Sequence, residues 1–383
     1  MQKISILIAV ILLLLLPFNG KEIFKKDISK RLVIQGIGID IEEDGTYTVT
    51  LQAINTNAQS VTSEGGDQEP IKTYKVNGET IYTAVKSVTE MEGKIPLYSQ
   101  NRVIIIGRNI AEKGLEGVID FFVRDTGNCP SVDVAMADGR ASEILEVKSE
   151  SSEVIARNIE QSISSTDFEA EISRLQIYEL VNRYEDRLPA YTMPVLAAVK
   201  DRDKERVEII ETAVFSGPKL KGTLTREETM MFNFLCNKVS NGAIAYETEQ
   251  DGKISMGVID NKTIRHVSLE NNTPAFKIRL YVEADIAEIY NGMEKTVDRH
   301  RLGELKNGAQ DHLKNGIEKV LKKLYTEMGC DAPGLSRLIF SRHPSFFREN
   351  EKNLNTVMAE CQYNVEVNVT IRRVGHELIK VSD

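Results

Sequence analysis

The residue types that most often carry out chemistry are present in this chain, but their spacing keeps them apart. The histidines stand singly, at His266, His300, His312, His343 and His376. His300 and His312 fall in one predicted helix, where twelve residues correspond to about 18 Å along the axis. A metal ion is held by ligands about 2 Å away, so one ion cannot bridge that distance. We therefore expect capping or solvent-exposed histidines and no metal site.

No motif of a known catalytic or cofactor site is complete. The sequence has no Gly-x-Ser-x-Gly elbow, no His-Glu-x-x-His pair and no Walker loop. The segment Gly36-Ile37-Gly38 matches only part of a dinucleotide fingerprint, and a hairpin follows it where a helix should begin. Glycines that allow close packing inside a strand are the simpler interpretation. Carboxylates are numerous, but no spacing singles out a pair, so we expect no catalytic residue and no cofactor.

The pair Arg124-Asp125 is the candidate for an interface with another protein. It ends a predicted helix whose apolar face includes Phe122. A guanidinium binds a partner's carboxylate through two parallel hydrogen bonds. Near a helix C-terminus, however, arginine more often binds the last backbone carbonyls. We keep Arg124 and Asp125 as interface candidates, with the structural role as the alternative.

An apolar segment, Ile4–Phe18, follows Lys3 at the start of the chain. As a helix its fifteen residues reach about 22 Å, less than the roughly 30 Å hydrocarbon core of a bilayer. A secretory signal, cleaved or lipid-modified, is therefore favoured over a spanning helix. Bulky Phe18 weakens a cleavage site before Lys21, so an uncleaved anchor stays open. The signal or anchor prediction rests on the apolar residues Ile4, Leu12, Leu16 and Phe18.

Charge and cysteine content exclude several classes of protein. A net charge of −9 and an isoelectric point near 5.4 argue against binding to nucleic acids or to anionic membrane surfaces, because both require a basic face. The cysteines lie far apart, at Cys129, Cys236, Cys330 and Cys361. So few cysteines in an exported chain argue against a disulfide scaffold. Free thiols are favoured, and a Cys330–Cys361 bridge stays open.

The elements that position these residues alternate between strands and helices. Two runs with period-two alternation, residues 32–41 and 47–54, flank an Asp-Gly turn and predict a β-hairpin. Apolar spacing then switches repeatedly between strand and helix periods, which indicates mixed sheets with helices packed on them. The longest helix is predicted at 294–328, and a final strand at 365–374.

The chain of 383 residues is too long for one ordinary core. Its charge-rich stretch 200–206 is the best candidate for a domain boundary. We expect an α+β fold of three mixed α/β domains, each with a central sheet and packed helices. The predicted division is a signal or membrane-anchor segment 1–20, an N-terminal mixed α/β domain 21–200, a middle α+β domain 201–272 and a C-terminal domain with the long helix 273–383.

Five segments in one order resemble the Ger(x)C family, the C subunits of spore germinant receptors. They are Val33-Ile-Gln-Gly-Ile-Gly-Ile-Asp40 with its hairpin, Arg102–Ile106 with the helix ending at Asp125, Val214–Glu228, the long helix, and Ser341-Arg-His-Pro344 with Ile371-Arg-Arg373. The resemblance implies a three-domain protein without a catalytic site, on the outer face of the inner spore membrane. It implies two membrane partners, an A subunit and a permease-like B subunit, in a complex that nutrients trigger to start germination.

One feature departs from the family pattern. Members usually carry a lipidated cysteine directly after the apolar segment, whereas the first cysteine here is Cys129. We therefore expect attachment through Ile4–Phe18, through the partner subunits, or through both. Two other functions stay open: a freestanding exported solute-binding protein with a concave pocket, and an exported hydrolase with paired carboxylates or a metal. Whether the chain itself contacts a nutrient also stays open.

Overall fold

The computed structural model describes residues 30–54, 71–124, 129–148, 154–165, 169–202, 204–248, 252–290, 298–374 and 377–378. The apolar segment Ile4–Phe18, Asp125, His376 and the predicted loop 57–68 lie outside the described residues. The described chain is a mixed α/β protein with two sheets. This confirms the predicted fold class.

The first sheet contains nine strands among the described residues. They are β1 (Arg31–Ile41), β2 (Tyr47–Ile54), β3 (Ile71–Gly78), β4 (Ile95–Leu97), β5 (Val103–Ile106), β6 (Asp133–Ala137), β7 (Ala190–Asp201), β8 (Lys204–Ser216) and β9 (Lys219–Thr225). Their order is β3-β2-β1-β5-β6-β7-β8-β9, and β4 pairs with the start of β1. Strands β1, β5, β6 and β7 are parallel, and the outer strands pair antiparallel. The predicted β1–β2 hairpin is confirmed.

Helices cover both faces of this sheet. They are α1 (Ile81–Glu92), α2 (Arg108–Lys113), α3 (Glu116–Arg124), α4 (Ala141–Leu145), α5 (Ile155–Ser164) and α6 (Ile177–Tyr184). Successive side chains of a strand point to opposite faces. Ile104 and Ile106 accordingly pack with α1, α2, α3 and α6, whereas Val103 and Ile105 pack with α4 and α5. Burial on both faces explains why β5 is an uninterrupted apolar run.

Close packing between β1 and the helices depends on Gly36 and Gly38. A Cβ atom at Gly36 would lie 2.8 Å from the Cβ of Ala156 in α5, and one at Gly38 would lie 3.2 Å from the Cβ of Ala141 in α4. The interpretation of these glycines as packing residues is confirmed. Gln52 of β2 adds polar contacts at the same place, because it accepts from the Ala156 backbone N–H (3.0 Å) and donates to the Leu145 carbonyl (3.2 Å).

The second sheet contains five strands among the described residues, in the order β10-β11-β12-β13-β14. Their bounds are β10 (Gly242–Thr248), β11 (Gly252–Glu270), β12 (Thr273–Ile289), β13 (Gln362–Val374) and β14 (Glu377–Leu378). Strands β11 and β12 form a long hairpin whose turn is Asn271-Asn272, with φ values of 50° and 63°. Positive φ at both central residues is typical of a two-residue type I′ turn, which asparagine tolerates.

Helix α7 (Arg226–Leu235) lies between the two sheets. Every residue from Glu228 to Leu235 is buried. The helix packs against β8 and β9 of the first sheet and against β11 and β12 of the second. Thr225 and Glu228 have the spacing that predicts a capping box, and the structure confirms it: the Thr225 hydroxyl accepts from the Glu228 backbone N–H (3.2 Å), and the Glu228 carboxylate accepts from the Thr225 backbone N–H (3.0 Å).

The longest helix, α8 (Arg299–Lys322), continues as a π-helical turn, Lys323–Glu327, and covers one face of the second sheet. Helices α9 (Ser336–Arg342), α10 (Pro344–Asn350) and α11 (Leu354–Glu360) then lead to β13. The Asp331 carboxylate accepts from the backbone N–H groups of Leu335 and Ser336, each at 2.9 Å. Asp331 thus satisfies two backbone donors at the start of α9, and burial raises the pKa of this carboxyl group.

Three element boundaries that the sequence pattern predicts are wrong. Apolar spacing predicts a helix over 77–91, but residues 77–78 end β3 and the helix starts at Ile81. A helix is also predicted over 171–184, but it starts at Ile177. Asp260-Asn261 predicts a turn between two strands, but these residues lie inside β11, where the pairing with β12 shifts register. Turn-forming residues at a β-bulge produce the same local pattern as a true turn.

Both predicted internal domain boundaries fall on hairpin turns. The stretch 200–206 contains the end of β7 and the start of β8, which pair antiparallel from Ala190–Ser216 to Asp201–Lys204. The 272/273 boundary falls at the β11–β12 turn. The division into three domains stays a prediction, whereas the described strands form two sheets.

Candidate functional site

A groove with a volume of about 680 Å³ lies between α1 and α3, on one side of the first sheet. Tyr82 and Val85 line it from α1, and Phe121 and Arg124 line it from α3. The short strand β4 contributes Ile95. This groove brings the interface candidate Arg124 together with apolar residues that the sequence did not connect to it.

The first wall of the groove is α1, whose ends are fixed by local hydrogen bonds. The Thr80 hydroxyl accepts from the Thr83 backbone N–H (3.1 Å), and the Thr83 hydroxyl accepts from the Thr80 backbone N–H (3.0 Å). At the other end, the backbone N–H of Gly93 donates to the Thr89 carbonyl (2.9 Å). Such caps satisfy backbone groups that have no partner within the helix.

Burial of one side of α1 determines which side faces the groove. Ile81, Ala84 and Val88 are buried against the sheet. Because residues three and four apart share a helix face, the adjacent face presents a second set of side chains. That set, all lining the groove, is Tyr82, Val85, Lys86 and Thr89.

The second wall is α3, which buries Val118, Ile119 and Phe122. Gly117 of α3 also lines the groove, together with Tyr47 of β2. A Cβ at Gly117 would lie 2.6 Å from the Tyr47 hydroxyl oxygen. The missing side chain therefore makes room for the tyrosine beside α3.

Charged groups lie at the rim of the groove. Arg124 Nε is 2.9 Å and 3.0 Å from the two carboxylate oxygens of Asp120, one helical turn earlier. The Lys86 ammonium lies 5.5 Å from the centre of the Tyr82 ring, within the range of a cation–π contact. Arg124 thus contacts a neighbouring carboxylate at the groove. Its partner in the prediction, Asp125, lies outside the described residues.

Two large apolar side chains of the groove are exposed. Tyr82 is 59% exposed and Ile95 is 53% exposed. Single exposed apolar residues are common on protein surfaces, but residues that line one concavity are typical of binding sites. The groove is therefore the candidate functional site.

The other place where such sheets bind ligands is occupied by the chain's own groups. In open sheets with parallel strands, ligands bind outside the carboxyl ends of the strands. There the Asp40 carboxylate accepts from the backbone N–H groups of Ala141 (2.8 Å) and Ser142 (3.0 Å) at the start of α4. Nearby, Arg140 donates to Glu42 (3.1 Å), and this bond lowers the pKa of Glu42 to about 2. Asp40 thus takes the backbone donors that an external anion would use.

The histidines and cysteines do not assemble into a site within the described residues. No three His, Cys, Asp or Glu side chains of the described chain are placed to hold a metal ion. His312 stacks on Tyr246, and burial lowers its pKa, whereas His300 lies 3.6 Å from Glu304. The four cysteines are free thiols, as predicted, and Cys330 and Cys361 are not bridged.

Sequence reasoning placed Arg124 at the end of a helix but missed the groove. Tyr82, Ile95 and Phe121 come from three elements, and no short spacing connects them. Helical spacing predicts that Val85 shares the buried face of Ile81, whereas in the structure it is partly exposed in the groove wall. An aromatic residue on the polar side of a predicted amphipathic helix, here Tyr82, was the available signal.

None of the helices in the described part of the chain combines the length and the apolar character needed to cross a bilayer.

Two family models match most of the chain. The first, described as the spore germination protein N-terminal domain, matches residues 25–198. The second, described as spore germination B3/GerAC like, C-terminal, matches residues 210–375.

Individual relatives agree with these matches. Spore germination protein KC of Bacillus subtilis (strain 168) is 21% identical over 374 residues, covering 92% of this chain and 91% of that protein. Spore germination protein A3 of the same organism is 26% identical over 128 residues, covering 33% of this chain and 34% of that protein. The crystal structure of the GerBC protein has a TM-score of 0.59 at 18% identity and covers 88% of this chain and 96% of that chain. That likeness shows a shared fold.

Proposed function

This chain belongs to the family of GerAC-like spore germination proteins, and from this premise we propose that it is the non-enzymatic C subunit of a germinant receptor. In this role it acts with an A and a B membrane subunit in germination triggered by nutrients. The observation that carries the proposal is the match of both family models, in order, to residues 25–198 and 210–375. Contact between the chain and other proteins is then its principal activity.

The groove supports a role in protein contacts. Its walls combine apolar and aromatic side chains with charges at the rim, an arrangement found where one protein binds another. The formal charge of −9 favours a folded body that stays soluble beside a membrane and does not adhere to anionic lipid. The two charge signs at the rim, Lys86 with Arg124 and Asp120, favour a partner with matching polar groups.

The proposed location is the outer face of the inner spore membrane. The segment Ile4–Phe18 delivers the body of the chain across the membrane and, if it is not cleaved, anchors it there. Mass spectrometry of the native N-terminus tests the anchor. A mature terminus near Lys21 would leave attachment to the partner subunits alone.

Co-purification from spore membranes tests the proposed function. The full chain carries an affinity tag at its C-terminus, and detergent-solubilised spore membranes are its source. We expect two multi-span membrane proteins to elute with it in comparable amounts, and none from an untagged control. Elution of the chain alone, while such proteins elute elsewhere, would contradict the subunit role.

A second candidate function is a freestanding solute-binding protein, favoured by the volume of the groove. About 680 Å³ is within the range of small-molecule sites, roughly 300–1,000 Å³. A solute whose free concentration is one hundred times its Kd stabilises the folded chain by about 2.7 kcal/mol. Thermal unfolding of the purified chain in the presence of amino acids, sugars and nucleosides measures this stabilisation. Stabilisation without any co-purifying membrane protein would favour the second function.

A further inference from the structure

We propose that the groove between α1 and α3 binds an amphipathic α-helix that belongs to a membrane-embedded partner protein. This inference rests on the proposed function and deepens it, because it assigns a contact surface on this chain and the kind of segment that the surface receives. It is carried by the shape, the lining and the position of the groove.

The dimensions of the groove match those of a helix. The α1 wall carries lining residues from Thr80 to Thr89, which extend over about 14 Å as a helix. An α-helix 10 Å wide occupies about 1,100 Å³ over that length, more than the groove volume of about 680 Å³. A segment of about three helical turns can therefore bury one face in the groove and leave the other face outside.

The lining specifies an amphipathic occupant. Val85, Ile95 and Phe121 supply apolar surface along the groove, and Tyr82 adds an aromatic ring with a polar end. An apolar helix face in an apolar groove is a common mode of peptide recognition, read through side chains three and four positions apart. Charge is confined to the rim, where it contacts the polar flanks of such a helix.

The charges at the rim of the groove indicate which residues flank the apolar face of the bound helix. Lys86 lies on the α1 side and the Arg124–Asp120 pair on the α3 side. Lys86 and Arg124 outnumber the single carboxylate of Asp120, so the rim carries a positive excess. A partner helix with an acidic residue on each flank of its apolar face complements this arrangement.

The position of the groove points to a partner in the membrane. Ile95, which lines the groove, pairs with Arg31 at the start of β1. Only eleven residues, 19–29, separate the apolar segment Ile4–Phe18 from the first described residue, Lys30. Even fully extended, they span at most about 40 Å. Where that segment lies in a bilayer, this part of the groove is held within that distance of the membrane.

A helix fits the concave surface better than the alternatives. A bilayer surface is flat on this scale and does not enter a groove that is bounded by two helices. Among the described helices, α1 and α3 present their apolar sides to the sheet and so offer a second copy no apolar face to insert. The position of the groove favours a partner protein, and the test below distinguishes that partner from the chain's own residues 4–18.

Site-specific photo-crosslinking in native spore membranes tests the inference. A photoreactive phenylalanine analogue replaces Tyr82 in one form of the tagged full chain and Met91 in the other. Both residues are exposed on α1, at 59% and 61%, but only Tyr82 lines the groove. We expect the analogue at position 82 to form an adduct whose peptide maps to a helical segment of an integral membrane protein, at least tenfold more than at position 91.

Other adducts overturn the inference. An adduct with lipid, with a second copy of this chain or with its own residues 4–18 would assign the groove to a different occupant. Equal yields at the two positions would show that the groove is not the contact surface. If the chain still co-purifies with membrane proteins, the proposed function stands although the inference fails. If it does not co-purify, both fail.

Charge substitutions provide a second measurement. Tyr82→Asp and Phe121→Asp place a carboxylate inside the groove, and Met91→Asp and Val123→Asp place one on the same helices outside it. Aromatic side chains at the centre of an interface often account for tenfold or greater changes in affinity. We expect recovery of the membrane partner to fall about tenfold for the first pair, with no change for the second. The Tyr82→Asp and Met91→Asp forms should have the same melting temperature, since both residues are exposed. Reduced recovery of the membrane partner with all four forms would overturn the assignment of the groove.

Discussion

Asp40 illustrates, at the scale of single residues, how a buried carboxylate can serve structure alone. It is 3% exposed and accepts hydrogen bonds from the backbone N–H groups of Ala141 and Ser142. Both of those residues are also buried. The sequence placed Asp40 correctly at the end of a strand, but its acceptor role depends on α4, one hundred residues later.

Replacement of Asp40 tests this role. Asp40→Ala leaves two buried backbone donors without an acceptor, which costs about 1–3 kcal/mol of the free energy of unfolding. The measurement is urea-induced unfolding followed by circular dichroism. Glu43→Ala, at an exposed position of the adjacent turn, is the matched control and should change the value by less than about 0.5 kcal/mol. Equal effects of the two substitutions would contradict the assigned role.

Glu42 should make stability depend on pH. Its hydrogen bonds from Arg140 and Thr48 lower its pKa in the folded protein from 4.5 to about 2. A depressed pKa stabilises the fold above the unfolded value, and this contribution is lost as pH falls from about 4.5 to about 2. The difference in unfolding free energy between the unmodified chain and Glu42→Gln should therefore be largest near pH 6 and shrink below pH 4.5. A difference that stays constant between pH 6 and pH 3 would refute this prediction.

The residue scale also shows a limit of sequence reasoning. Arg124 was recognisable because it ends a helix, and Gly36 because it interrupts a strand. Tyr82 and Ile95 were not recognisable, because the groove depends on the distance between α1 and α3. That distance is set by tertiary packing, and no local spacing in the sequence encodes it.

At the scale of elements, the contact of β1 with α5 rests on two small residues. A Cβ at Gly36 would lie 2.8 Å from the Cβ of Ala156. Gly36→Ala should cost about 1–3 kcal/mol through overpacking. Ala156→Gly relieves the clash, although glycine in a helix costs about 1 kcal/mol itself.

A double-mutant cycle measures this coupling. In the background of Ala156→Gly, Gly36→Ala should cost at least about 0.5 kcal/mol less than in the unmodified chain. Purely additive effects would show that the helix does not touch the strand at this point. Chemical denaturation of the four forms supplies the data.

Elements whose apolar residues repeat regularly along the sequence were predictable, whereas elements that depend on tertiary packing were not. The β1–β2 hairpin and α8 carry regular apolar spacing over many residues, so their existence could be predicted from sequence. Strand β3 was missed because only Tyr74 and Val76 mark its buried side. Met231, Phe234 and Leu235 predict a single apolar face for α7, whereas every residue from Glu228 to Leu235 is buried, because the two sheets enclose the helix.

At the scale of the whole molecule, α7 joins the two sheets into one unfolding unit. Its residues lie in contact with strands of both, so separation of the sheets would expose the whole helix to water. We expect a single cooperative thermal transition for the chain without residues 1–20, with equal calorimetric and van't Hoff enthalpies. Two separated transitions in calorimetry would contradict this expectation.

The same coupling predicts the behaviour of a fragment. The N-terminal family model ends at residue 198, inside β7, and β8 pairs along the length of that strand. A fragment of residues 21–198 would leave β7 as an open edge and expose the surface that Ala213 and Phe215 cover. We expect this fragment to aggregate or remain unfolded, as judged by size-exclusion chromatography and circular dichroism, whereas 21–383 stays monodisperse. A soluble folded fragment would refute the prediction.

The eight consecutive buried residues of α7 have a mechanical consequence. Because this helix packs on β8 and β9 of the first sheet and on β11 and β12 of the second, bending one sheet relative to the other would break contacts along it. We therefore expect the two sheets to move as one rigid body when a partner binds either of them.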